Sequence, residues 1–309
     1  MFVDPTVDII MATYNGEMYI AQQLDSIINQ TYKNWRLLIR DDGSNDKTVD
    51  ILTKYALRYS DTIVLLPPSQ HLGPKDNFAG LLTYSKASYT MFSDQDDVWL
   101  PTKVADTLTA MIDLQKRNGT HVPLLVYSDL VVVDENLMKI SSSFFRHVRT
   151  KPHDTLKPLL LHNSIAGCTM MINRSLREMV PTIPERAIMH DWWIGLMAAG
   201  FGRIVCIPQP TLLYRQHTAN AAGAKPWSPR QIITDHLSGS WRRVLNATQF
   251  QAEIFCPLYG PKLDSSTRQM IYAYANLHNQ NWFVRKWIVL KYRLLRTGLV
   301  AALGMLFFI

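Results

Sequence analysis

Two rhythms of apolar and polar residues take turns along the first hundred positions. Val7-Asp8-Ile9-Ile10-Met11-Ala12 is a short run of buried-strand type, closed by the turn-forming Thr13-Tyr14-Asn15-Gly16. Residues 17–29 then bring Ile20, Leu24, Ile27 and Ile28 round at helical spacing. The cycle repeats. Trp35-Arg36-Leu37-Leu38-Ile39-Arg40 reads as a strand that ends in Asp41-Asp42-Gly43-Ser44-Asn45-Asp46, and a helix follows over 47–59. A third strand covers 63–66, a third helix 77–86, and a fourth strand Tyr89-Thr90-Met91-Phe92-Ser93. Strands alternating with helices need crossover connections, so the pattern predicts an α/β fold with a largely parallel sheet covered on both faces.

Beyond residue 100 the signals are sparser. Tyr127-Ser128-Asp129 ends a strand, and 163–171 reads as a strand interrupted by Gly167. His190-Asp191-Trp192-Trp193 opens an apolar helix, and Leu212-Leu213-Tyr214 is a strand running into Arg215-Gln216-His217. Residues 219–229, rich in Ala, Gly and Pro, predict a flexible loop with the makings of a lid. Helical pattern resumes over 230–246, 265–279 and 282–296. In the last of these, Arg285, Lys286, Arg293 and Arg296 fall on one arc, with Phe283, Trp287, Leu290 and Leu294 opposite. The closing run 298–309 is apolar but too short to span a bilayer.

Charge sharpens this division. The chain of 309 residues carries a net +7, and six of those charges belong to Arg268, Arg285, Lys286, Lys291, Arg293 and Arg296 in a stretch, 265–309, without Asp or Glu. The first 264 residues are left with +1. That excludes a nucleic-acid-binding body and points the tail at an anionic membrane surface, with an interfacial helix as its form. Cys168, Cys206 and Cys256 are odd in number and far apart, which excludes a disulfide framework and a thiolate metal site. The N-terminus moves from a charged, turn-forming start straight into a strand, so no signal peptide is expected and the catalytic part is placed in the cytosol.

In an open parallel sheet, ligands bind beyond the carboxyl ends of the strands. Thr13-Tyr14-Asn15-Gly16, Asp41-Asp42-Gly43-Ser44 and Asp94-Gln95-Asp96-Asp97 all fall at such ends, so three loops are expected to form one site. Three carboxylates in four residues cannot all ionise cheaply without a cation, and the third loop therefore predicts a hard divalent metal, Mg²⁺ or Mn²⁺.

These segments, with Phe92-Ser93-Asp94-Gln95-Asp96-Asp97-Val98-Trp99 and Tyr214-Arg215-Gln216-His217 the sharpest, resemble the family 2 glycosyltransferases, inverting enzymes of the GT-A fold. The likeness covers about residues 5–220 and is nearest to rhamnosyltransferase-like members that build bacterial surface polysaccharides. Where the family usually has Pro-x-Tyr-Asn, this chain has Ala12-Thr13-Tyr14-Asn15. The resemblance implies a GT-A domain over 1–225, with a nucleotide-binding half to about 110 and an acceptor half after it, and a helical extension over 226–309. It implies Asp96 as metal ligand, helped by Asp94 and His217, and Asp42, with Asp41 as substitute, as reader of the imide N–H of uracil or thymine. Thr13, Tyr14, Asn15 and Glu17 would stand beside the nucleotide. Lys75 would reach a phosphate, Asn77 would sit at the start of the following helix, and Arg215 would offset phosphate charge. Asp191 is the implied base that takes the acceptor proton in a single displacement.

The implied donor is a dTDP- or UDP-sugar, dTDP-rhamnose above all, and the implied acceptor a glycan or polyprenyl-linked glycan at the inner face of the membrane. The Gln-x-x-Arg-Trp element of processive relatives is absent, which implies single or short-run transfer. Two rival readings are a non-catalytic sugar-binding scaffold of the same fold and a metal-dependent phosphohydrolase.

Overall fold

Each apolar run of the first hundred residues becomes a strand, and the alternation within it sorts side chains to two sides of one sheet. In the computed structural model, which describes residues 4–68, 70–218, 220, 223 and 240–295, β1 (Val7–Thr13), β2 (Trp35–Asp41), β3 (Ile63–Leu65) and β4 (Tyr89–Ser93) run parallel in the order β3-β2-β1-β4. The crossovers are α1 (Ile20–Ile28), α2 (Thr48–Arg58) and α3 (Pro74–Tyr84). Val7, Ile9 and Met11 face a core shared with Leu24 of α1 and Leu52 of α2. Ile10, Leu38 and Phe92 face the other core, with Phe78 and Leu81 of α3. A strand's two-residue period produces this division.

Past β4 come β5 (Val98–Trp99), α4 (Lys103–Asn118), β6 (Leu124–Val133), β7 (Lys139–Ser141), α5 (Phe144–His147) and α6 (Leu156–Leu161). They are followed by β8 (Met171–Asn173), α7 (Arg174–Met179), α8 (His190–Phe201) and β9 (Arg203–Arg215). The sheet continues from β4 through β8, β6 and β9 to β5. β8 is antiparallel to both β4 and β6, so the sheet is mixed in its second half where a largely parallel one was expected. Residues 163–171 are not one strand either: Gly167–Thr169 forms a 3₁₀ turn before β8. Only Gly202 separates α8 from β9, and a Cβ there would lie 1.7 Å from the Pro123 carbonyl oxygen, so the corner admits no side chain.

The C-terminal helices α9 (Ser240–Tyr259), α10 (Ser265–Ala275) and α11 (Trp282–Tyr292) do not stand apart from the body. Phe255, Tyr274 and Val289 join Trp193 and Leu196 of α8 in one core. α11 differs from the expected helix over 282–296. Arg293 adopts a left-handed conformation (φ 51°) that ends it at Tyr292, and Leu294 is buried. Arg285 turns back to donate to the carbonyls of Gln280 and His278, while Phe283, Trp287 and Leu290 are exposed. Of the two expected arcs the basic one therefore breaks up and Leu294 leaves the apolar one, while Phe283, Trp287 and Leu290 stay together on an exposed face. Among the described residues no helix is long and apolar enough to cross a membrane. The expected lid over 219–229, apart from Asn220 and Gly223, and the closing run 298–309 lie outside the described residues.

Candidate active site

Parallel pairing brings the three loops to one edge, because Thr13 is in register with Asp41, and Met11 with Ser93. Side chains then tie the loops together. The Gln95 amide accepts from Tyr14 N–H and donates to the Tyr14 carbonyl, both at 2.8 Å, as a neighbouring strand would. Asn15, at φ 46°, donates its N–H to Ser44 Oγ and accepts from Asn45 N–H, both at 2.8 Å. Lys47 N–H donates to Glu17 at 2.9 Å. Asp41 accepts from Thr13 Oγ1, from Ser44 Oγ and from the N–H groups of Gly43 and Ser44. Its carboxylate is engaged in holding the loop, which leaves Asp42 as the one facing the cleft.

That cleft has a volume of about 350 Å³, within the range of small-molecule sites. Thr13, Tyr14, Asp42, Asn77, Asp94, Asp96 and Asp191 line it, so most of the implied residues share one wall-to-wall space. Asp42 accepts from the N–H groups of Leu72 and Gly73 at 2.9 and 2.8 Å and lies 3.2 Å from His71 Nδ1. The His71 ring sits 4.3 Å from that of Tyr14. His71 was not singled out by the sequence reading, since a His in a Gly-Pro loop carries no signal by itself.

The acidic end is electrostatically incomplete. Burial, then Asp96, then Asp191 push the Asp94 carboxyl up to about 7. Asp97 is fully buried, and its carboxyl is raised well above the ordinary range by burial and by Asp96 and Asp94. One of its oxygens, Oδ2, has no hydrogen-bond partner. Asp96 lies 2.8 Å from His217 Nε2 and 3.4 Å from Asn220 Nδ2. A divalent cation fits this surplus of negative charge. Asp94, Asp97 and Cys168 also gather within 4.8 Å of one another. That trio is the poorer cradle: Asp97 is closed to the cleft, and burial raises the Cys168 thiol, a soft ligand unsuited to Mg²⁺ or Mn²⁺. Of the ligands expected from sequence, Asp96 and Asp94 line the cleft and His217 meets Asp96 from outside its lining, so the three are paired through Asp96 and are not gathered round one point. Asp97 does not cap α4, whose cap position is Thr102; it accepts from Arg215 N–H at 3.3 Å.

Two implied residues are directed elsewhere. Arg215, expected to offset phosphate charge, is buried and outside the cleft lining. Its guanidinium donates to the Asp96 carbonyl at 2.8 Å, and to the Glu135 carbonyl and Gln22 Oε1 at 2.6 Å each, and lies over the Tyr19 ring. It braces the acidic loop from behind. We expect Arg215→Ala to cost about 3 kcal/mol or more in denaturant unfolding, since three charge-assisted bonds go. Lost donor affinity at unchanged stability would instead mean that it meets phosphate. Lys75 donates to the carbonyls of Pro184 and Glu185 and does not line the cleft. Asn77, beside it, is buried and accepts from Arg40 Nε at 2.7 Å.

Asp191, which also lines the cleft, stands in the first turn of α8. The cap position is Met189, so Asp191 is not a capping residue. It accepts from Gly167 N–H at 3.1 Å and Trp192 N–H at 2.6 Å. Burial outweighs those bonds and holds its carboxyl near 6. His190 lies beneath, 4.2 Å from the Phe78 ring, with neither ring nitrogen hydrogen-bonded; burial pulls it down to about 3, so it is neutral. Trp193 is wholly buried and packs on Phe255, so it offers no face to a sugar.

A parallel half-sheet with loops and acids at its carboxyl edge, followed by a mixed half that adds Asp191 to the same cleft, is the GT-A arrangement. Residues 8–180 match the model of the family described as glycosyl transferase family 2. The chain belongs to that family and is a glycosyltransferase. It is 30% identical over 227 residues to a Shigella flexneri protein described as dTDP-rhamnosyl transferase RfbG, covering 69% of this chain and 74% of that one. Two solved structures share the fold. S. aureus TarS 1-349 in complex with UDP-GlcNAc has a TM-score of 0.59 at 16% identity, covering 93% of this chain and 80% of that one. The Pyrobaculum calidifontis mannosyltransferase PcManGT with GDP-Man and Mn2+ has a TM-score of 0.54 at 17% identity, covering 99% and 79%.

Proposed function

We propose that this chain transfers L-rhamnose, with inversion, from dTDP-rhamnose to a hydroxyl of a glycan or lipid-linked glycan of a bacterial surface polysaccharide, at the inner face of the membrane. The observation that carries the reading is one cleft lined together by Asp42, by the crowded acids Asp94 and Asp96, and by Asp191. The rhamnose donor is supported by the likeness to a relative described as a dTDP-rhamnosyl transferase.

In this reading Asp42 accepts the imide N–H of thymine or uracil, and the Tyr14 and His71 rings flank the base. Asp96, Asp94 and His217 would hold Mn²⁺ or Mg²⁺, which would supply positive charge to offset that of the leaving diphosphate. Asp191 takes the acceptor O–H proton as that oxygen bonds to the anomeric carbon, and the bond from that carbon to the diphosphate oxygen breaks on the opposite face. The nucleoside diphosphate leaves with the bonding pair.

The test is release of nucleoside diphosphate from dTDP-rhamnose and from UDP-sugars, with Mn²⁺ or with EDTA, with and without a polyprenyl-linked glycan. We expect release that needs both metal and acceptor, and fastest turnover of dTDP-rhamnose. Metal-independent release, or none with any donor, would remove the reading; acceptor-independent phosphate release would favour a phosphohydrolase.

A further inference from the structure

Trp282, Phe283, Trp287 and Leu290 are all more than half exposed, a concentration of large apolar side chains on the single helix α11. Phe283, Trp287 and Leu290 stand at i, i+4 and i+7, so they form one ridge. Ile288 and Val289, on the opposite side, are buried against the body, so the helix is packed and its ridge still faces outward. At 100° per residue, Leu290 and Phe283 occupy the middle of an arc of about 180° whose flanks hold Trp282 and Lys286 on one side and Trp287 and Lys291 on the other. The lysines are placed against the tryptophans: Lys286 Nζ lies 4.1 Å from the Trp282 ring centre, and Lys291 Nζ 4.5 Å from that of Trp287.

An apolar ridge bordered by Trp and Lys matches the layers of a bilayer surface, with hydrocarbon at the middle, aromatic rings at the boundary and cations among the headgroups. The charge pattern selects the lipid. No Asp or Glu occurs anywhere in 265–309, so nothing on this segment repels an anionic headgroup. We propose that the outward face of α11 is the surface by which this chain docks on an anionic membrane, with Phe283, Trp287 and Leu290 entering the interface and Lys286 and Lys291 meeting phosphate groups. The proposal deepens the reading of a lipid-linked acceptor and rests on it for its purpose, though the docking is measured without any acceptor. It keeps the interfacial helix expected from sequence and its apolar ridge, with Lys286 and Lys291 as the cationic border in place of the basic arc that the end of the helix at Tyr292 breaks up.

Flotation of the 309-residue chain with vesicles of phosphatidylcholine alone, and with about 30% phosphatidylglycerol added, tests it. The parent should float with the anionic vesicles, less with the neutral ones, and less again at high salt. The variant Phe283→Ser/Trp287→Ser/Leu290→Ser should lose binding by more than about tenfold, and Lys286→Glu/Lys291→Glu should lose it on anionic vesicles only. Both should keep the parent's thermal midpoint and its donor affinity in solution. Equal flotation of the parent and the triple-serine variant would overturn the proposal by assigning contact to another segment, as would failure of the parent to float. Sedimentation velocity covers the remaining occupant: a parent that self-associates and a serine variant that does not, with equal flotation, would make the ridge a contact between copies. Donor binding by calorimetry without vesicles is a separate measurement, so a failure of the transferase reading shows there and not in flotation.

Discussion

Asp191→Asn is expected to lower sugar transfer by about 10²–10⁴-fold, the usual contribution of a positioned general base, while donor affinity stays within a factor of about two. Asparagine keeps the shape and an acceptor for the N–H groups of Gly167 or Trp192 but cannot take a proton. Because burial is what holds this carboxyl near 6, the neutral side chain removes that penalty, and the variant should unfold at a temperature no lower than the parent. The sign for pH follows from the same cause. Below about 6 the carboxyl is protonated and cannot accept, so kcat/KM should fall about tenfold per pH unit on the acid side and flatten above. Between the ordinary carboxylate value and 6 the folded chain binds more protons at this site than the unfolded one, so its contribution to stability declines as pH rises through that window. Loss of donor binding in Asp191→Asn, or an acid limb far from 6, would make Asp191 a structural residue.

Asp96→Ala should cost more than about a hundredfold in donor affinity in the presence of Mn²⁺ and little in its absence, since the change removes a first ligand and not a supporting one. The structure adds a second readout. Asp96 is the largest charged contributor to the raised Asp94 carboxyl, so its removal should lower the Asp94 value and reduce the protons released when metal binds at neutral pH. Calorimetry of Mn²⁺ and dTDP in two buffers of different ionisation enthalpy measures both. A variant with parental Mn²⁺ dependence would transfer the metal to Asp94, Asp97 and Cys168.

How far the sequence could be read depended on whether a role belongs to the backbone or to a side-chain direction. β1 to β4 and their loops were legible because four apolar runs separated by helical pattern admit few arrangements, and the carboxyl-end rule then put Thr13, Asp42 and Asp94 together. β8 was not, because three residues buried on both faces carry no period. α3 begins at Pro74, earlier than its apolar spacing suggests, because Gly73 at φ 78° turns the chain into it. Arg215 and Lys75 had the right charge and neighbourhood for phosphate, yet long side chains pivot, and the Asp96, Glu135, Pro184 and Glu185 carbonyls that captured them lie far off in sequence. His190 and His71 received no role of their own because an imidazole between aromatic rings or beside a carboxylate has no sequence spacing of its own.

The paired hydrogen bonds between the Gln95 amide and Tyr14 bear on attempts to recast donor choice. A Cβ at Gly16 would lie 2.4 Å from Gln95 Oε1, so the glutamine's place is reserved by the absence of a side chain eighty residues earlier. Transplanting the first loop from a relative while leaving the acidic loop native would break the clasp that ties the two loops together. The unit of inheritance is therefore Tyr14, Gly16 and Gln95 together, and chimeras that exchange them as a set are the ones whose two loops will still meet.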